Sequence, residues 1–123
     1  MDTVLNQLID SLVGTAPNLE IKYLAVGTSS AALGDAQTQL TTEIFRTPAV
    51  TGPTRTATGQ VETEFTILDS EAVATIEEIG IFGGSTASIT ANSGTLISRI
   101  LWHKVKTSSE EITITRIDKV VRN

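Results

Sequence analysis

The chain has 123 residues, of which 40% are hydrophobic and 19% charged, and this composition is typical of one globular domain with a small core. Its formal net charge of −5 and its scattered basic residues argue against nucleic-acid binding, because contacts to a phosphate backbone need clustered Lys and Arg. The chain has no cysteine, which excludes disulfides and thiolate chemistry, and no apolar run reaches the roughly 18 residues that span a membrane.

Residues 2–13 predict an amphipathic helix. Its large apolar side chains recur at the spacing of one helical stripe, which consists of Val4, Leu5, Leu8, Ile9, Leu12 and Val13. Asp2 fits an N-cap, and Gly14 is typical of a helix end. This stripe has to be covered, either by the chain's own domain or by a neighbouring subunit, so we regard it as a candidate interface. We expect residues 1–16 to form this helical segment and residues 17–123 to form a single β-rich domain.

Strand-like segments follow the helix. Those rich in β-branched or alternating apolar residues are 19–28, 60–68, 75–82, 95–105 and 111–121. Residues 38–46 are ambiguous and fit a short turn of helix that runs into a strand, and Pro48 with Thr-Gly-Pro at 51–53 should break regular pairing. Small polar loops are expected at 29–37 and 83–94. About six strands with no helix between the later ones predict a mainly β fold, an antiparallel β-sandwich or small barrel with one N-terminal helix.

The stretch EEIGIF at 77–82 places two carboxylates ahead of an apolar run. On a strand, Glu77 and Glu78 point to opposite faces, so they cannot converge on one substrate as a catalytic pair must. A carboxylate turned toward the core needs a cation or hydrogen-bond donors. We therefore predict a structural ion pair in which Glu78 is joined by Arg46 or Arg99.

Other site chemistries lack their usual sequence patterns. The single histidine, His103, cannot build a multi-histidine zinc site, and the chain has no cysteine to complete one. The serine-hydrolase pattern G-x-S-x-G does not occur. The glycine-rich GIFGGS at 80–85 lacks the Gly-Lys-Ser/Thr ending of a phosphate-binding loop. We therefore expect no catalytic residues, no metal site and no cofactor.

Five short segments carry a family resemblance through their order and spacing. They are YLAVGT (23–28), TQLTTEIFR (38–46), EIGIF (78–82), GTLISRI (94–100) and ITITRI (112–117). From residue 20 to about residue 120 the chain resembles small structural proteins of tailed bacteriophages, in particular tail-collar and tail-fibre attachment modules. The pattern of that family includes T-x-L-x-x-E-x-x-R, E-I-G-[IL]-F and G-x-L segments, and its acids fall on Glu43 and Glu78 of this chain.

The resemblance implies a non-enzymatic virion protein, an adaptor of the tail, baseplate or fibre attachment that works through symmetric protein–protein contacts. Its implied partners are other tail or collar proteins and its own copies, in a trimer or ring, with no nucleic acid, membrane or cofactor. The implied location is the virion tail, after synthesis in the host cytoplasm. Fibre proteins of this kind continue into a shaft, whereas this sequence ends at Asn123, so we expect the attachment module alone.

Two alternatives stay open at this point. One is a receptor- or carbohydrate-binding module at the tail tip. The other is a capsid-decoration or head–tail connector protein, which is also structural. Binding to glycans or to cells would separate the first of these from an adaptor.

Overall fold

The computed structural model describes residues 2–14 and 18–121, and within these ranges one helix precedes seven strands. The helix α1 spans Asp2–Val13. The strands are β1 (Ile21–Gly27), β2 (Glu43–Pro48), β3 (Thr51–Ala57), β4 (Gln60–Ile67), β5 (Thr75–Gly83), β6 (Thr95–Val105) and β7 (Ile112–Lys119). The prediction of a mainly β fold with one N-terminal helix is confirmed. The expected boundary between residues 16 and 17 lies outside the described residues.

The strands form two antiparallel sheets that pack as a sandwich. Sheet A has the order β2-β1-β5-β6, and sheet B has the order β3-β4-β7. The chain crosses from sheet A to sheet B between β2 and β3, so these two strands form the edges on one side of the sandwich. The strands β6 and β7 form the edges on the other side.

One strand more is present than the sequence analysis expected. The segment with Thr-Gly-Pro forms β3, an edge strand that pairs only with β4. Proline is tolerated there because an edge strand has an unpaired flank. The pairing is irregular between Thr51 and Thr54 and again between Arg55 and Ala57, so the strand forms but its register is broken as expected. Residues 38–42 form no helical turn, and β2 begins at Glu43.

The main core lies between the two sheets. It consists of Leu24, Val26, Phe65, Ile67, Ile76, Ile79 and Ile81. Strand β4 shows why these residues meet, because its side chains alternate between the two faces of sheet B. Its Thr63, Phe65 and Ile67 are fully buried, whereas Glu62 and Glu64 on the opposite face are partly exposed.

A second core covers the outer face of sheet A, the face turned away from sheet B. It consists of Ala25, Leu40, Phe82 and Leu96, with Tyr23 packed against it. Gly80 makes this cover possible, because a Cβ at that position would lie 2.6 Å from the Leu40 side chain. The segment 28–42 therefore lies directly on the sheet, and this face is a second packed layer.

Candidate interaction site

Helix α1 turns most of its apolar stripe away from the rest of the chain. Five side chains are 49% to 85% exposed, and we call them the α1 stripe: Leu5, Leu8, Ile9, Leu12 and Val13. Burying one such side chain completely stabilises by about 1.5–3 kcal/mol, so five on one helical face favour association strongly. The spacing from Leu5 to Leu12 is that of the anchors by which amphipathic helices dock in apolar grooves.

The helix meets its own domain through a different and more polar side. Val4 and Gln7, one turn apart, are only partly exposed, and the amide oxygen of Gln7 is buried without a hydrogen-bond partner among the described residues. The backbone N–H of Asp2 donates to the carbonyl of Asp35 at 3.0 Å. A cleft of about 220 Å³ remains beside Thr3, where the helix faces the start of β6. The contact of α1 with its own domain is therefore loose, and of the six apolar residues predicted to line the helix only Val4 is partly buried.

The carboxylate of Glu78 is completely buried between sheet A and the segment 28–42 that covers its outer face. The Nε of Arg99 donates to its Oε1 at 2.8 Å, and both side chains are 0% exposed. The backbone N–H groups of Thr41 and Thr42 donate to the same carboxylate at 2.9 and 2.8 Å, and that of Ser29 donates at 3.3 Å. Four donors therefore hold this carboxylate, three of them from the segment that covers the sheet.

The charge of Glu78 is stabilised by these donors rather than by solvent. Burial alone raises the pKa of Glu78, but the hydrogen bonds from Arg99 and from the backbone of Thr42, Thr41 and Ser29 outweigh it. The pKa of this carboxyl consequently lies below its ordinary value of 4.5. Arg99 extends the link to the cover, since its Nη1 donates to the carbonyl of residue 31 at 3.0 Å. The ion pair of Glu78 and Arg99 therefore holds the segment 28–42 against sheet A.

Arg46, the other predicted partner of Glu78, pairs instead with Glu43. Its Nε and Nη2 donate to the two carboxylate oxygens at 2.9 and 2.8 Å, and both side chains are at most 2% exposed. Its Nη1 donates to the carbonyls of Ser88 and Ser93 at 3.0 and 2.9 Å. The guanidinium lies 4.4 Å from the ring centroid of Phe82. This second buried pair holds the segment 84–94 against the outer face.

A bulge explains why Glu43 and Arg46 meet. Three residues apart on a regular strand, they would point to opposite faces. In β2, however, Phe45 pairs with Val26 while Glu43 pairs with Gly27, so one extra residue is inserted between them. The bulge brings the carboxylate and the guanidinium to the same face, an arrangement that regular strand periodicity excludes.

The remaining candidate groups lie apart from these pairs. Glu77 does not join Glu78, and its carboxylate contacts the exposed ring of His103 at 2.8 Å. Among the described residues, no group of three or more His, Asp or Glu is placed to hold a metal ion. No helix within residues 2–14 and 18–121 is long and apolar enough to cross a membrane.

The turn between β6 and β7 is held by Glu110. Its carboxylate accepts from the Lys104 ammonium at 2.5 Å and from the backbone N–H of Thr107 at 2.9 Å. These hydrogen bonds lower the pKa of Glu110 from 4.5 to about 2. Because the folded pKa is depressed, this carboxylate stabilises the turn fully above pH 4.5 and loses that effect as the pH falls through about 2.

We expect an NMR titration of the Glu110 carboxyl carbon to give a midpoint near pH 2. Lys104→Met removes the strongest donor and should move that midpoint toward the ordinary 4.5. A wild-type midpoint already at 4.5, or a midpoint that Lys104→Met leaves unchanged, would show that the ammonium does not hold this turn.

The sequence of this chain matches no protein-family model, and no curated protein matches it.

Proposed function

We propose that the chain is a non-enzymatic structural protein of a tailed bacteriophage. It acts as an adaptor of the tail, baseplate or fibre attachment, and it joins other virion proteins and its own copies through the α1 stripe. The family resemblance of its five segments supports the phage assignment. The outward orientation of the α1 stripe supports association through that stripe.

The outward stripe is the observation that carries this proposal. An amphipathic helix that packed onto its own domain would bury its apolar face and leave its polar face in water. Helix α1 does not bury its apolar face, since it meets its domain beside Val4 and Gln7 and exposes Leu8 and Leu12. Such a face is typical of a surface that another protein covers.

The segments that carry the resemblance also hold segments 28–42 and 84–94 against the outer face of sheet A. TQLTTEIFR supplies Leu40, which packs over Gly80, and the buried pair of Glu43 and Arg46. EIGIF and GTLISRI supply Glu78 and Arg99, the other buried pair. These contacts support the proposal because they hold together the β domain that carries α1.

Removal of residues 2–14 is expected to abolish association with tail proteins of the same particle while the far-ultraviolet circular dichroism keeps its β signal. The core between the sheets contains no residue of α1, so the sandwich should fold without the helix. Light scattering of purified mixtures measures the association. Loss of the β signal would instead show that the helix is part of the domain's own core.

Two single substitutions separate the stripe from the helix as a whole. Leu12→Asp places a charge on the most exposed position of the stripe and should abolish association. Asn6→Asp places the same charge on the same helix outside the stripe and should leave association intact. Equal binding by both variants would refute the assignment of the stripe as the docking surface.

A further inference from the structure

The two sheets end in four edge strands in the part of the chain that the structure describes, and three of these edges carry features that hinder the addition of another strand. Strand β2 ends at Pro48 and β3 contains Pro53, and proline has no N–H to donate to a neighbouring strand. The register of β6 with β5 is shifted at two places. Such bulges disturb the regular spacing that a further strand would need. The remaining edge strand is β7.

Strand β7 has the regular geometry that the other edges lack. It pairs with β4 without a shift over eight residues, from Ile112 to Lys119. It pairs with no other strand, and within residues 2–14 and 18–121 no hydrogen bond reaches the other flank of its backbone. About half of the N–H and C=O groups of a strand point to each flank. The row of groups on the free flank of β7 therefore suits an added strand rather than a helix or a loop.

The charges of β7 indicate which strand fits this edge. Arg116 and Asp118 lie on the same face of sheet B, where the guanidinium donates to the carboxylate at 2.8 and 2.7 Å. Their side chains are 24% and 37% exposed, so both groups can still be reached from outside. An antiparallel strand meets these two charges in reverse order. The matching strand therefore carries the same Arg-x-Asp sequence, which a second copy of β7 supplies.

One register of two β7 strands satisfies these charges. When a two-fold axis relates the two copies, each register is defined by the residue that lies opposite itself. Registers centred on Arg116 or Asp118 place like charges opposite each other, which is destabilising, and a register centred on Thr115 places Asp118 opposite Ile112. The register centred on Ile117 places each Arg116 opposite Asp118 of the second copy, so two ion pairs cross the contact.

The same register brings exposed apolar side chains together. Ile117 is 52% exposed and would lie against its own copy. Val120 and Val121, which follow β7, are 86% and 73% exposed and would lie opposite Ile114 and Thr113 of the second copy. Charge and apolar surface thus favour the same alignment.

We propose that β7 pairs antiparallel with β7 of a second copy of the chain, centred on Ile117. The two three-stranded sheets B then form one continuous sheet of six strands, which is a usual size. This inference goes beyond the proposed function, because the contact uses no residue of α1. The contact is closed by its two-fold symmetry and leaves the α1 stripe of both copies free for other proteins. One strand from each copy forms a small interface, so the dimer should depend on concentration.

Charge reversal on β7 tests the register. The full-length chain with Leu12→Asp, in which the α1 stripe is disabled, should still form dimers in sedimentation velocity. Adding Arg116→Asp gives a strand with two facing acids, and adding Asp118→Arg gives one with two facing bases, so each variant alone should sediment as a monomer. Their equimolar mixture should form heterodimers, because every acid then lies opposite an arginine. A defect in folding would not be repaired by mixing.

Asp35→Arg is the matched control for the change of charge. It lies on an exposed position of the segment 28–42, which covers sheet A rather than sheet B, and it should leave the dimer intact. A Leu12→Asp chain that is monomeric at every concentration would overturn the inference. Two charge variants that keep their β circular dichroism but stay monomeric when mixed would overturn it as well.

Cysteine cross-linking gives a second measurement that does not depend on the folding of the charge variants. The chain has no cysteine, so each introduced thiol is unique. In the proposed register the two copies of residue 117 lie directly opposite each other, with their Cα atoms about 4.5–5.5 Å apart, which is within the range of a disulfide. The two copies of residue 113, which is on the same exposed face, lie about 26 Å apart.

Under oxidation, Ile117→Cys should therefore form a covalent dimer, whereas Thr113→Cys should stay monomeric. No disulfide from Ile117→Cys, or equal yields from both variants, would overturn the pairing of β7 with its copy.

Discussion

Replacing Arg99 by Met is expected to lower the free energy of unfolding by about 3–5 kcal/mol, the usual cost of removing one partner from a buried ion pair. The Glu78 carboxylate stays 0% exposed and loses its only cationic partner among the described residues. The backbone N–H donors that remain carry no full positive charge. Denaturation by urea, monitored at the single tryptophan, Trp102, measures the loss.

The loss of stability caused by Arg99→Met should depend on pH in a defined direction. In the wild type the pKa of Glu78 is depressed, so its contribution is complete above 4.5 and disappears as the pH falls through the folded value. In the Arg99→Met variant burial is no longer outweighed by the guanidinium, so the pKa of Glu78 rises and acidification relieves the buried charge. The stability gap should therefore narrow below pH 4.5, and a gap of constant size would contradict the ion pair as its cause.

Replacing Arg46 by Met is expected to cost a similar amount, about 3–5 kcal/mol, and to release the segment 84–94. The substitution leaves the Glu43 carboxylate buried and removes the donor to the carbonyls of Ser88 and Ser93. Hydrogen exchange should therefore speed up in that segment, while the amides of β4 lose protection only in proportion to the global stability.

Arg46→Lys is the matched control for charge. It keeps a cation, but one ammonium group cannot hold both carboxylate oxygens and the two carbonyls as the planar guanidinium does, so an intermediate loss is expected. An Arg46→Met protein as stable as the wild type, with unchanged exchange at 84–94, would show that this arginine does not fasten the segment.

The sequence was sufficient for the fold class because its signals are local. Alternation in β4 and the three-to-four spacing in α1 follow from the geometry of one element. The burial of Glu78 beside an arginine could also be predicted locally, because a carboxylate within an apolar strand needs a cationic partner. Which arginine pairs with Glu78, Arg99 or Arg46, could not be predicted, because Arg46 is paired with Glu43 through a bulge in β2 that no local sequence pattern indicates.

Two further features depend on long-range arrangement. The strand β3 exists because it lies at an edge of sheet B, where Pro53 costs no ladder bond on its outer flank. The outward direction of the α1 stripe depends on where the helix sits relative to β6. Periodicity shows that the helix has an apolar face, but only the tertiary structure shows that its own domain leaves that face uncovered.

A small apolar groove between β6 and β7, lined by Ile100 and Ile114, likewise could not be predicted from the sequence. Its two walls are adjacent along the chain, but they belong to different sheets, and its floor comes from β1 and β5. Ile100 and Ile114 have the alternation of ordinary core residues. Their exposure arises because the sandwich is open along this side.

The most direct test of the proposed virion role is a cryo-electron microscopy map of the phage particle in which the proposal places this chain. The expected result is density for the sandwich in the tail or at the fibre attachment, in symmetric copies, with Leu8 and Leu12 of α1 buried against a neighbouring protein. A particle that lacks the chain, or one in which the α1 stripe faces solvent in every copy, would contradict the proposal.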